Sequence, residues 1–136
     1  MSKVVAIEEH FWIPALQTAE TVGVDIKTKP HWVEALSDLG ERRTKEMDEA
    51  GIDVQVIAHA PPAAQNFPPV EAVALAREAN DTLYRAICAH ADRFAGFAAL
   101  PTPDPEAAAA ELERTVTRYG FKGAMIHGLT HGSFSD

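Results

Sequence analysis

Two residues near the N-terminus, Glu8 and His10, are spaced to share one ion. They lie at the end of an apolar run, residues 3–8, that reads as a β-strand, and strand side chains two apart point the same way. On that reading Val4, Ala6, Glu8 and His10 occupy one face and Val5, Ile7 and Glu9 the other. A strand rise of about 3.3 Å places the two Cα atoms about 6.5 Å apart. A carboxylate and an imidazole can close that span onto one cation at about 2 Å. Mixed oxygen and nitrogen ligation suits zinc or manganese better than a thiolate-seeking metal. Without context, Glu8-Glu9-His10 is equally well a polar strand end, because Glu is mostly a surface residue.

Three of the six histidines, His10, His59 and His127, fall at or just beyond the ends of separate apolar runs. In a curved parallel sheet those ends converge on one rim. His127 there reads either as a substrate contact or as a solvated strand-end residue, whereas His59 reads as a loop anchor. His90 complements a helix C-terminus, and His31 and His131 read as surface loop residues. Phe11, Trp12 and Phe67 could wall an aromatic pocket or pack against their own loops. Arg42, Arg43 and Lys45, opposite Glu46, Asp48 and Glu49, read as a solvated helix face.

Four elements of one kind must position these groups. Residues 3–8, 53–58, 94–100 and 123–127 are short apolar runs with strand character. Helical patterns separate them. One covers 41–50, with Gly51 where a left-handed cap is wanted, and a shorter stretch covers 31–39. The next runs over 71–90 with Leu75, Ala79, Leu83, Ala86 and Ile87 on one face. The last opens on Asp104 as N-cap with Pro105 and Glu106 behind it, carries Leu112, Val116 and Tyr119 as its stripe, and stops at Gly120. The order βαβαβαβ predicts an α/β protein with a parallel sheet. Loops after strands, 10–30 and 59–69, are long, and those before strands are tight, which puts function at the strand C-termini. A doubly wound sheet would carry a glycine-rich phosphate loop after its first strand, and none is present.

Of the 136 residues 46% are hydrophobic and 24% charged, which predicts a globular domain, and the net charge of −8 gives no footprint for nucleic acid. No run approaches the ~20 apolar residues of a membrane helix. Cys88 is the only cysteine and reads as a small buried apolar side chain. The absence of a disulfide or a leader pattern predicts a cytoplasmic location.

Several stretches together resemble the decarboxylase-like branch of the amidohydrolase superfamily, which holds aminocarboxymuconate-semialdehyde, γ-resorcylate and dihydroxybenzoate decarboxylases. They are Ala6-Ile7-Glu8-Glu9-His10-Phe11 with Ile13-Pro14, then Met47-Asp48-Glu49-Ala50-Gly51-Ile52, Ala79-Asn80-Asp81 and Ala91-Asp92-Arg93-Phe94. Phe97-Ala98-Ala99-Leu100-Pro101 and Tyr119-Gly120-Phe121-Lys122-Gly123-Ala124 complete the set. The Glu-x-His opening is closer to the benzoate decarboxylases than to the His-x-His of typical amidohydrolases.

The resemblance implies that Glu8 and His10 are metal ligands, that a His and an Asp from later strands complete the site, and that His127 stands where relatives often carry Asn. It implies a TIM-type (β/α)8 barrel, of which residues 1–136 are the N-terminal half with about four βα units. A whole barrel needs about 250 residues, so the chain reads as a fragment. The implied cofactor is a divalent metal, zinc or manganese. The implied activity is non-oxidative decarboxylation of a hydroxybenzoate or related unsaturated acid, with the proton donor on a later strand. A hydrolase of the same superfamily acting on a lactone, ester or amide shares the same two ligands. A third reading is an inactive half-barrel that self-associates through its open sheet edges. On any of them a homo-oligomer is expected.

Overall fold

The computed structural model describes residues 2–17 and 29–133. Strands β1 (Val5–Phe11), β2 (Val54–His59) and β3 (Phe94–Gly96) form a parallel sheet in the order β1-β2-β3. Helices α1 (Pro30–Ser37) and α2 (Glu41–Ala50) connect β1 to β2, α3 (Pro69–Ala89) connects β2 to β3, and α4 (Pro105–Arg114) follows β3. The α/β order expected from the sequence is therefore present. Of the long loop expected over residues 10–30, residues 18–28 lie outside the described residues.

Local chemistry explains the boundaries. Gly51 ends α2 at φ 69°, its N–H bonded to the carbonyls of Met47 and Asp48. Asp104 caps α4 by accepting from the Ala107 N–H at 3.0 Å, with Pro105 in the first turn. On α3 the buried face is Ala72, Ala76, Ala79, Asn80 and Leu83. Those small residues let the helix lie close to β3, where a Cβ on Gly96 would meet Leu83 and Ile87 methyls at 3.0 Å. Phe11, Ile13, Leu16, Met47, Ile57, Leu83 and Phe94 form the core between sheet and helices.

Several expectations are corrected. Cys88 is exposed, because it follows the α3 stripe at a position off the buried face. Val116 is 41% exposed and Thr115 fully buried. The end of α4 widens into a π-helical turn, Thr115–Tyr119, which shifts the inward face. Residues 94–100 form a regular ladder only as far as Gly96. Beyond it Phe97 N–H donates to Ile57 O, Ala98 N–H to Gly123 O and Ala99 N–H to the Asn80 side chain. The fourth segment, 123–127, is present in extended contact at a single parallel bridge, Ala98 with Ala124, rather than as a regular strand.

Candidate metal centre

Simple alternation fails on β1, and the failure falls on the candidate ligands. Ile7 pairs with Val56 and Glu9 with Ile57, so Glu8 has no partner on β2 and forms a bulge with φ 67°. A non-glycine residue in that region costs about 1–2 kcal/mol. Bulges of this kind re-aim side chains beside functional sites. Partners across a parallel pair share a face, so His10, paired with Ala58, lies on the face of Val5 and Ile7 and not on that of Ala6. Val5 and Ile7, 51% and 68% exposed, line the side of the sheet turned away from the helices.

Glu8 is exposed, while the Nδ1 of half-buried His10 is shielded from solvent and has no hydrogen-bond partner among the described residues. A buried imidazole nitrogen without a partner is unfavourable unless a ligand takes it up, and a divalent cation is one such ligand. By residue type, Glu8 and His10 could supply an oxygen and a nitrogen to a divalent cation. No group of three or more His, Cys, Asp or Glu among the described residues could hold one alone.

His127 comes to the same rim. Its ring lies 6.0 Å from that of His10, edge to face, and its electrostatic surroundings include Glu8. Its Nε2 donates to His59 O at 2.8 Å, and its main-chain N–H donates to Gln65 Oε1 at 2.7 Å. Burial is the main cause of a pKa below the ordinary histidine value. A neutral His127 with its proton on Nε2 carries the acceptor lone pair on Nδ1.

His59 is a loop anchor, as expected. Its Nδ1 donates to Ala60 O at 2.9 Å and its Nε2 accepts from Ile13 N–H at 3.2 Å, so both ring nitrogens are engaged by main chain. Burial pushes its pKa down to about 4. Phe11 and Trp12 are core residues, Phe11 standing 5.2 Å from the His59 ring, and Phe67 packs against the core as well. His131 is exposed and reaches Phe67 O at 3.2 Å, His31 is exposed beside Trp32, and His90 packs on Phe94 at 5.2 Å.

Sequence reasoning missed three residues here. Arg42 and Lys45 are exposed as expected, but Arg43 is buried and donates to His10 O at 2.8 Å. Its position four residues before buried Met47 was the available signal. Gln55, a polar residue inside an apolar strand run, was another. Gln65, in an aperiodic loop, gave none.

Among known proteins, a family model described as Amidohydrolase matches residues 8–136. The chain is 41% identical over 138 residues to the gamma-resorcylate decarboxylase of Rhodococcus jostii, covering 97% of this chain and 40% of that protein. The solved structure of 2,6-dihydroxybenzoate decarboxylase with bound 2,6-dihydroxybenzoate superposes with a TM-score of 0.87 at 39% identity, over 96% of this chain and 40% of that one. A dihydroxybenzoic acid decarboxylase from Polaromonas, solved with manganese and the inhibitor 2-nitroresorcinol, gives 0.87 at 38% identity over 99% and 42%. The chain thus spans about 40% of the length of the curated relatives it matches. Its architecture is that of the N-terminal part of a TIM-type barrel.

Proposed function

Because the chain belongs to the amidohydrolase family, we propose that the protein containing it is a metal-dependent carboxy-lyase that removes carbon dioxide from an ortho-hydroxybenzoate or a related unsaturated acid. The observation that carries this reading is the bulge at Glu8, two residues before a His10 whose buried Nδ1 has no partner among the described residues. Relatives solved with 2,6-dihydroxybenzoate and with manganese support the substrate class and the metal. Manganese or zinc are the candidates, and further ligands come from outside these residues.

Held there, a divalent cation would supply Lewis-acid stabilisation to an anionic substrate. Glu8 adds negative charge where a histidine would add none, which lowers the electrophilicity of a bound cation and makes it a poorer activator of water. His127, neutral and fixed by the His59 carbonyl, offers Nδ1 as acceptor to a substrate hydroxyl. The buried core residues Phe11, Trp12 and Ile13 exclude water behind the rim. Among the described residues no helix is long and apolar enough to cross a membrane. We place the protein in the cytoplasm, acting on small molecules and not on nucleic acid.

The test is to incubate the manganese- or zinc-loaded full-length protein with a dihydroxybenzoate panel and with an ester and lactone panel, following carbon dioxide and acid release. Carbon dioxide from an ortho-hydroxybenzoate is expected. Glu8→Gln and His10→Ala should each lower both metal content by elemental analysis and activity while leaving the fold in place. Lactone hydrolysis without decarboxylation, or full metal occupancy in both variants, would refute the reading.

A further inference from the structure

Arg43 belongs to an otherwise solvated helix, yet only 8% of the residue is exposed. A buried guanidinium is tolerated when its donors are used. Here Nε donates to Asp38 O at 2.8 Å and Nη2 to His10 O at 2.8 Å and Ala35 O at 3.3 Å, while Nη1 donates to Gln55 Oε1 at 3.2 Å. Gln55 continues the chain, its Nε2 donating to Glu9 Oε2 at 3.4 Å. One cation therefore grips both residues that follow the bulge, His10 through its carbonyl and Glu9 through Gln55.

That grip falls where β1 needs it. The neighbouring carbonyl, Phe11 O, is taken by Ala60 N–H, whereas His10 O is taken by Arg43. The left-handed backbone at Glu8 is unfavourable for a residue with a Cβ, so it persists only where the surrounding structure fixes the chain on either side. The Ile7 pairing with Val56 fixes one side, and on the other the pairing of Glu9, His10 and Phe11 with β2 is joined by Arg43 at the His10 carbonyl.

We propose that Arg43, with Gln55, is the positioning residue of the metal centre: by holding the main chain of His10 and the carboxylate of Glu9 it steadies the backbone just after the bulge at Glu8, and thereby sets the affinity for a divalent cation. This rests on reading Glu8 and His10 as ligands. Lysine cannot replace the fork, because one ammonium cannot serve the Asp38, Ala35 and His10 carbonyls together with Gln55.

The test titrates Mn2+ alone into the full-length protein and reads free Mn2+ by its paramagnetic resonance signal, with circular dichroism reporting the fold. Arg43→Met and Arg43→Lys should weaken Mn2+ binding about 10- to 100-fold, the usual effect of removing a group that orients a ligand. Gln55→Leu should shift it in the same direction. Arg42→Met, on the exposed face of the same helix, should leave it unchanged. If Arg43→Met does not fold, Arg43→Lys and Gln55→Leu decide in its place. Folded Arg43→Lys with wild-type Mn2+ affinity, in a protein whose binding does fall in Glu8→Gln, overturns this inference alone. Mn2+ binding that is absent, or untouched by Glu8→Gln, overturns the ligand assignment and this inference with it.

Discussion

Asn80 offers the sharpest test of how the sheet end is held. Its side chain, 1% exposed, does the work of a missing strand neighbour for Ala99: Nδ2 donates to Ala99 O at 2.9 Å and Oδ1 accepts from Ala99 N–H at 2.8 Å. Nδ2 also donates to Glu111 Oε1 at 2.8 Å, and Glu111 is itself buried against Arg114. Asn80→Ala leaves the N–H and C=O of buried Ala99 without partners and removes a donor from a buried carboxylate. Each orphaned group costs about 1–3 kcal/mol. A water entering the vacated polar space returns part of that, so a net loss of about 3 kcal/mol is expected. In urea unfolding this lowers the midpoint by about 1–3 M with an unchanged slope. Amide exchange of Ala99, and of Met125, whose N–H bonds Ala98 O, should accelerate with it. Asn80→Asp should be at least as damaging at neutral pH, since it keeps one acceptor, loses both donors and sets a second carboxylate against Glu111. A loss below about 1 kcal/mol in Asn80→Ala would refute the argument that these bonds hold the strand end.

Two further outcomes are expected. An unfolded histidine titrates near 6.5, whereas His59 is pushed down to about 4 by burial. The unfolded chain therefore takes up the proton first, and the stability His59 contributes is present above pH 6.5 and lost as pH falls towards 4, about 3 kcal/mol across that window. His59→Gln should flatten the pH dependence of unfolding between pH 7 and 4, and identical slopes in the two proteins would count against it. Taken alone, the 136-residue chain should self-associate through the face carrying exposed Val5 and Ile7. Light scattering showing a monodisperse monomer would contradict this.

Elements set by local chemistry were legible in the sequence. The 41–50 helix is found with those bounds, its left-handed Gly51 in place, and the Asp104 cap accepts the bond expected of it. Both follow from short-range geometry that one or two residues dictate. The fate of residues 115–119 was not legible, because a π-turn depends on where the Thr115 hydroxyl finds Glu111 O and on packing against Phe121 and Tyr84. Exposure of Cys88 likewise depends on how wide a stripe of α3 the sheet covers, which the periodicity alone leaves open.

The site shows the deeper limit. Residue types named Glu8 and His10, but a period-two argument set them on the face of Val4 and Ala6, and one unpaired residue at Glu8 moved His10 to the other face. A bulge changes every assignment downstream of it while leaving composition and spacing untouched. Its support is equally non-local: Arg43 is 33 residues from His10 along the chain and reads as an ordinary surface charge until its bond to the His10 carbonyl is seen. Sequence pattern thus names the residues proposed as donors, whereas the backbone irregularity between them and the buried arginine that bonds the His10 carbonyl are visible only in the folded protein. For this chain, variation at Arg43 and Gln55 should therefore alter cation binding with both proposed ligands intact, an effect no inspection of the Glu-x-His motif would anticipate.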